Sequence, residues 1–135
     1  GGLVGIVTDV GANYATVRAI IDDDSNVSGM SLRTGDTCNV SGNLTLYQDG
    51  RLGLDHIKKE ADIQEGDKIV TSNLSDIFLP GILIGYASGL TTDANNVTKS
   101  GTIIPVADFD NLQEVLVITQ LKNGDGGDNN AEAAD

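Results

Sequence analysis

Five oxygen-bearing side chains stand together at Asp22-Asp23-Asp24-Ser25-Asn26. Asp22, Asp24 and Asn26 have the alternate spacing with which a calcium loop begins. The rest of that loop does not follow. Val27 stands where the sharp-turn glycine belongs, and Arg33 occupies the position of the closing bidentate glutamate. A solvated turn between strands is the better reading of the cluster. His56 is the single histidine, so any triad or imidazole-metal site must use it. Asp55 is its neighbour, but adjacent strand residues point to opposite faces and are not expected to orient each other. Ser72 and Ser75 lie in the polar run Thr71-Ser72-Asn73-Leu74-Ser75-Asp76, outside any Gly-x-Ser-x-Gly elbow. A hydrolase would need Ser, His and Asp to converge from three places.

Cys38 is the lone cysteine, which excludes an intrachain disulfide and a Cys-rich metal site. No basic neighbour lowers its pKa, so a buried or half-buried structural thiol is expected. Gly81-x-x-x-Gly85 lacks the Gly-Lys-Ser/Thr that would make a phosphate loop. A swinging-arm turn for lipoate or biotin is missing too. No cofactor, metal or catalytic residue is expected, and the balance favours binding over catalysis.

The elements that must carry these residues are strands. The chain has 135 residues, 39% hydrophobic, with 17 glycines, no tryptophan and two phenylalanines. Its core must come from Val, Ile and Leu, which suit pleated, half-buried surfaces. Ala15, Val17, Ala19 and Ile21 fall on one face, with Thr16 and Arg18 on the other. Leu44–Tyr47 and Arg51–Leu54 alternate likewise, and Asp49-Gly50 between them predicts a hairpin. Further strands are expected at Leu3–Val10, Gly29–Arg33, Thr37–Val40, Asp67–Ser72, Ile82–Leu90, Thr102–Val106 and Glu114–Thr119, about ten in all. Pro80-Gly81 predicts a tight turn. Pro105 predicts an edge or bulged strand. Asp108 could cap one helical turn over 108–112. Gly2-Leu3-Val4-Gly5-Ile6-Val7 is echoed by Gly81-Ile82-Leu83-Ile84-Gly85-Tyr86-Ala87, a hint of a repeated unit.

Twenty acidic against 8 basic residues give a net charge of −12. Such a chain repels phosphates and anionic headgroups, so no nucleic-acid partner is expected. No run of roughly 18 apolar residues spans a bilayer. The chain opens at Gly1-Gly2-Leu3-Val4 already in a strand-like pattern, as a piece of a longer protein would. Residues 123–135 carry almost no apolar surface and are expected to form a disordered acidic tail.

Several strings, read in order, match one pattern: Gly2-Leu3-Val4-Gly5-x-Val7, Asn13-Tyr14-Ala15-x-Val17, Asp22-x-x-Ser25 and Arg33-Thr34-Gly35. Ile63-x-x-Gly66-Asp67-x-Ile69-Val70-Thr71-Ser72 and Phe78-x-Pro80-Gly81-Ile82-x-Ile84-Gly85 follow, then Ile104-Pro105-x-Ala107-Asp108-Phe109-x-x-Leu112-x-x-Val115-Leu116-Val117. Over residues 2–119 the chain resembles the bacterial rod shape-determining MreC family. Asn73 departs from a position that is often glycine there, and Leu79 from one that is commonly proline.

The resemblance implies an all-β fold of two small packed β-barrels, loosely chymotrypsin-like without an active site. The division is expected near residue 60, with 1–60 and 61–122 as the two units. The implied role is a non-enzymatic scaffold of the cell-wall elongation machinery, on the extracytoplasmic face of the membrane. Its anchor would be a span absent from this chain. Implied partners are the elongation-specific penicillin-binding transpeptidase, MreD, MreB and further copies of itself. Binding is expected through exposed apolar side chains and strand edges, with Leu74, Ile77, Phe78 and Leu79 as the candidates. The competing reading is that this cluster folds under and closes its own barrel. A β-domain of a membrane-fusion adaptor and a degenerate protease-like hydrolase are the functional alternatives.

Overall fold

The computed structural model describes residues 1–75, 77–112, 115–119 and 131–134. Six strands close a barrel in the order β3-β4-β5-β8-β7-β6, all pairs antiparallel. They are β3 (Asn26–Ser31), β4 (Thr37–Ser41), β5 (Leu52–Lys58), β6 (Lys68–Thr71), β7 (Leu83–Thr92) and β8 (Thr98–Pro105). Two three-stranded meanders make it. Their first strands pair as β3–β6 and their last as β5–β8, which closes the ring and leaves the barrel no free edge. Alternation puts Val27, Val40, Leu52, Leu54, Ile57, Ile69, Ile84 and Ile103 inside, a core of aliphatic residues as the composition requires.

A separate four-stranded sheet has the order β2-β1-β10-β9, from β1 (Leu3–Val10), β2 (Ala15–Ala19), β9 (Leu116–Ile118) and β10 (Ala131–Ala134). Among the described residues there is thus one closed barrel and one open sheet, where two barrels were expected. The division near residue 60 falls between the two meanders of a single barrel, because β3–β5 and β6–β8 complete each other's hydrogen bonding. The expected disorder of the tail is corrected at its far end, where β10 pairs with β1 and β9. Strand addition uses backbone groups and so does not need apolar side chains; residues 123–130 lie outside the described residues.

Three local expectations also change. Leu44–Tyr47 is a helical turn, α1, not a hairpin strand. Asn43 Oδ1 caps it by accepting from Leu46 N–H at 3.0 Å, and Asp23 Oδ1 takes Leu44 N–H at 2.8 Å. Gly50 does adopt φ +71, but as the residue that ends this turn. Pro105 is not on an edge strand; it is the last residue of β8, where a missing N–H costs least, and the pairings of β8 with β5 and β7 both carry bulge-type register shifts. Residues 108–111 form a turn in which Asp108 accepts from Asp110 N–H at 3.2 Å, short of a helix. Pro80-Gly81 turns as expected, with Gly81 at φ +83.

Candidate protein-binding surface

The 73–81 loop leaves the barrel at the end of β6 and returns at β7. Thr71, fully buried, holds both of its ends. Its Oγ1 donates to the Leu79 carbonyl at 2.6 Å and accepts from Ile82 N–H at 2.8 Å. Ser72 Oγ accepts from Leu74 N–H at 3.0 Å, and Ser75 Oγ from Phe78 N–H at 2.9 Å. Short side chains therefore satisfy the Leu74 and Phe78 N–H groups from within the loop.

The loop divides the four candidates. Phe78 is 5% exposed and joins the barrel core, so for this residue the fold-under reading is correct. Leu74 is 66% exposed and Ile77 45%, on the outside of the same loop. Leu79 is half-buried. One aromatic thus anchors a loop that displays two aliphatic side chains. Asn73, the departure from glycine, is not at positive φ, so its type strains nothing.

The sequence did not point to what lies beside this loop. Ile6 and Arg18 of the sheet, with Ile20 and Asp24–Asn26, line a cleft with Ile77 and Phe78. Nor did it assign Arg33 a task, although Arg33 and Asp67 both stand in the matched strings. Arg33 Nε and Nη2 reach the two oxygens of Asp67 at 3.0 and 2.9 Å, and Nη2 also donates to the Asp62 carbonyl at 2.5 Å. The guanidinium holds the Asp67 carboxyl below its ordinary range. Asp36 is lowered by accepting from Asp62 N–H at 2.9 Å and from Thr34. Together these bonds tie the β3–β4 turn to the approach of β6.

Among the described residues the chemistry-bearing side chains do not assemble into a site. His56 sits at φ +54 where β5 shifts register against β8. This bulge brings Nδ1 to 2.5 Å from Asp55 Oδ1, correcting the expectation that the two could not meet. Asp55 also accepts from Asn39 Nδ2 at 3.0 Å and Ser41 Oγ at 3.4 Å. In a serine relay the imidazole lies between hydroxyl and carboxylate; here the carboxylate lies between. Burial, then the charge of Asp55, pushes the Cys38 thiol up to about 12, which keeps it protonated. Asp23 is taken up in capping α1, while Asn26 begins β3 and accepts from Asn39. Among the described residues no group of three or more His, Cys, Asp or Glu could hold a metal, and no helix is long and apolar enough to cross a membrane.

Comparison with known proteins adds the family. Residues 1–119 match the family profile described as rod shape-determining protein MreC, barrel core. The cell shape-determining protein MreC of Listeria monocytogenes is 29% identical over 136 residues, covering 99% of this chain and 46% of that protein. The chain therefore spans less than half of that relative. The MreC structure from Listeria monocytogenes superposes with a TM-score of 0.74 at 26% identity, over 98% of this chain and 56% of that one. A structure described as a complex between penicillin-binding protein PBP2 and MreC from Helicobacter pylori gives 0.61 at 19% identity, over 97% and 71% of the two chains. With its barrel core matched almost from end to end, this chain belongs to the rod shape-determining MreC family.

Proposed function

We propose that this chain is the β-rich docking part of a cell-wall elongation scaffold, and that it binds the elongation-specific penicillin-binding transpeptidase through the 73–81 loop. The observation that carries the reading is the division within that loop: Phe78 is locked in the core while Leu74 and Ile77 stand exposed on the same turn. Backbone groups already hydrogen-bonded within the loop have less conformational freedom to lose on binding, so exposed apolar area converts more fully into affinity. The Helicobacter pylori complex of MreC with PBP2 supports the choice of partner. On the same reading the protein acts outside the cytoplasmic membrane, anchored by a segment beyond this chain, with MreD, MreB and other copies of itself as further partners. It works by binding, not catalysis. The open sheet would be the counterpart of a second small barrel. Gly5 and Gly85, the echoed glycines, support this, since each lies under a neighbouring strand's carbonyl, about 2.1 and 2.2 Å from where a Cβ would stand.

Pull-down against the transpeptidase ectodomain tests the proposal, with Leu74→Asp/Ile77→Asp as the paired variant. Capture by the wild type and loss in the variant, with circular dichroism unchanged, is the expected result. Equal capture by both would remove the loop from the interface.

A further inference from the structure

The cleft beside the docking loop has a volume of about 150 Å³. Its deep end is apolar: Ile20 and Phe78 are buried and Ile6 is half-buried. Its mouth carries exposed Arg18, Asp24 and Ile77, with Ser25 half-buried between strand and turn. A space of roughly 150 Å³ is the size of a benzene-like group, and here it has an apolar floor and a polar, open mouth. One leucine or phenylalanine side chain therefore fills it, and a folded domain does not enter.

Arg18 narrows the occupant further. Among the described residues no carboxylate pairs with its guanidinium, whereas Arg33 is held by both Asp62 and Asp67. In a chain with 20 acidic and 8 basic residues, Arg18 is the basic residue among those lining the cleft, with Asp24 on the same mouth. The net charge of −12 disfavours an acidic partner at long range, but salt screens that field beyond about 8 Å. At contact Arg18 decides, as a planar donor suited to a carboxylate. Asp24 offers an acceptor to a peptide N–H on the same mouth.

We propose that this cleft is an anchor pocket for a partner-protein segment that presents one leucine- or phenylalanine-sized side chain beside a carboxylate. The inference rests on the docking reading of the 73–81 loop, and Ile77 belongs to both surfaces.

Methyl and amide NMR of the chain, titrated with N-acetyl-L-leucine and with the neutral N-acetyl-L-leucinamide, tests it. Saturable shifts confined to Ile6, Ile20, Ile77 and their neighbours are expected. The acid should bind about fivefold tighter than the amide, the equivalent of roughly 1 kcal/mol for one charge pair. Arg18→Gln, at an exposed position, should erase that preference while leucyl binding persists. Ser25→Phe, which fills the mouth, should abolish both, with thermal melting checking that it folds. No saturable shift in the wild type, or shifts that survive a folded Ser25→Phe, overturns the pocket. Equal affinity for acid and amide overturns its carboxylate half. The transpeptidase pull-down separates the two ideas. Equal capture by wild type and Ser25→Phe removes the transpeptidase as the pocket's occupant and leaves the docking loop. Failure of capture alongside saturable N-acetyl-leucine binding removes the transpeptidase and leaves the pocket.

Discussion

Arg33 meets Asp67 across 34 residues of sequence in a two-point fork, Nε to Oδ1 and Nη2 to Oδ2, at 3.0 and 2.9 Å. One residue lies after the first strand of the first meander, the other before the first strand of the second. The fork therefore sits where the halves of the barrel join, next to the β3–β6 pairing that closes it.

Replacing Arg33 by lysine keeps the charge and discards the planar fork. Arg33→Lys is expected to melt between the wild type and Arg33→Ala, since a single ammonium reaches fewer of the Asp67 and Asp62 oxygens. Thermal unfolding of the three proteins at two salt concentrations checks this. A melting temperature for the lysine variant equal to the wild type would show that charge alone acts there.

The carboxyls of Asp36, Glu65, Asp67 and Asp93 are all held below their ordinary range by hydrogen-bond donors. Asp62 N–H acts on Asp36, Gly89 N–H on Glu65, Arg33 on Asp67 and Ser100 on Asp93. For a lowered carboxyl the folded state binds fewer protons than the unfolded one. Its stabilisation is present above the unfolded pKa, roughly 4, and is lost as pH falls through the folded value. Urea midpoints should therefore drop as pH falls below about 4. Asp67→Asn should weaken that drop, and an unchanged slope in this variant would remove Asp67 from the effect.

Phe78 and Leu74 share a loop but not a fate. Phe78→Ala should cost about 3 kcal/mol or more, as truncation of a core aromatic does. Leu74→Asp should stay within about 0.5 kcal/mol of the wild type, as an exposed substitution does. Chemical denaturation of both variants measures the difference. A severe loss in Leu74→Asp would mean that this side chain is packed, not displayed.

Thr71→Val keeps the shape of the side chain and removes its hydroxyl. The Leu79 carbonyl and Ile82 N–H then lose a shared partner inside the protein, at a cost of roughly 1–3 kcal/mol. Amide exchange should quicken at Leu74 and Phe78 through the loosened turn, while Val40 in the far meander keeps its protection. Uniform quickening across the barrel would instead indicate global destabilisation.

Much of the architecture was legible because it depends on local alternation. From Thr37 onward β4 alternates in burial with period two, whereas β1 from Leu3 and β6 from Lys68 are short apolar runs buried in succession. Pro80-Gly81 announces its turn because one residue presets φ and the other accepts it positive. The ordered strings between Gly2 and Val117 carried the family as well. Leu44–Tyr47 was misread because four alternating residues do not distinguish a strand from one helical turn. The distinguishing signals were Asn43, a good cap just ahead, and Asp23, distant in sequence and visible only once the chain had folded.

By itself, then, the sequence determined an aliphatic, all-β, acidic chain of the MreC family and drew attention to residues 73–81. Tertiary structure alone decided that six strands from both halves close one barrel. It also turned Phe78 inward and Ile77 outward, paired Arg33 with Asp67, and brought Ile6 and Arg18 beside the loop. The physical reason is separation along the chain. Periodicity reports which face of an element is apolar, but the Arg33–Asp67 contact and the cleft that Arg18 and Ile77 both line exist only after distant strands have paired, and no local pattern encodes which strands those are.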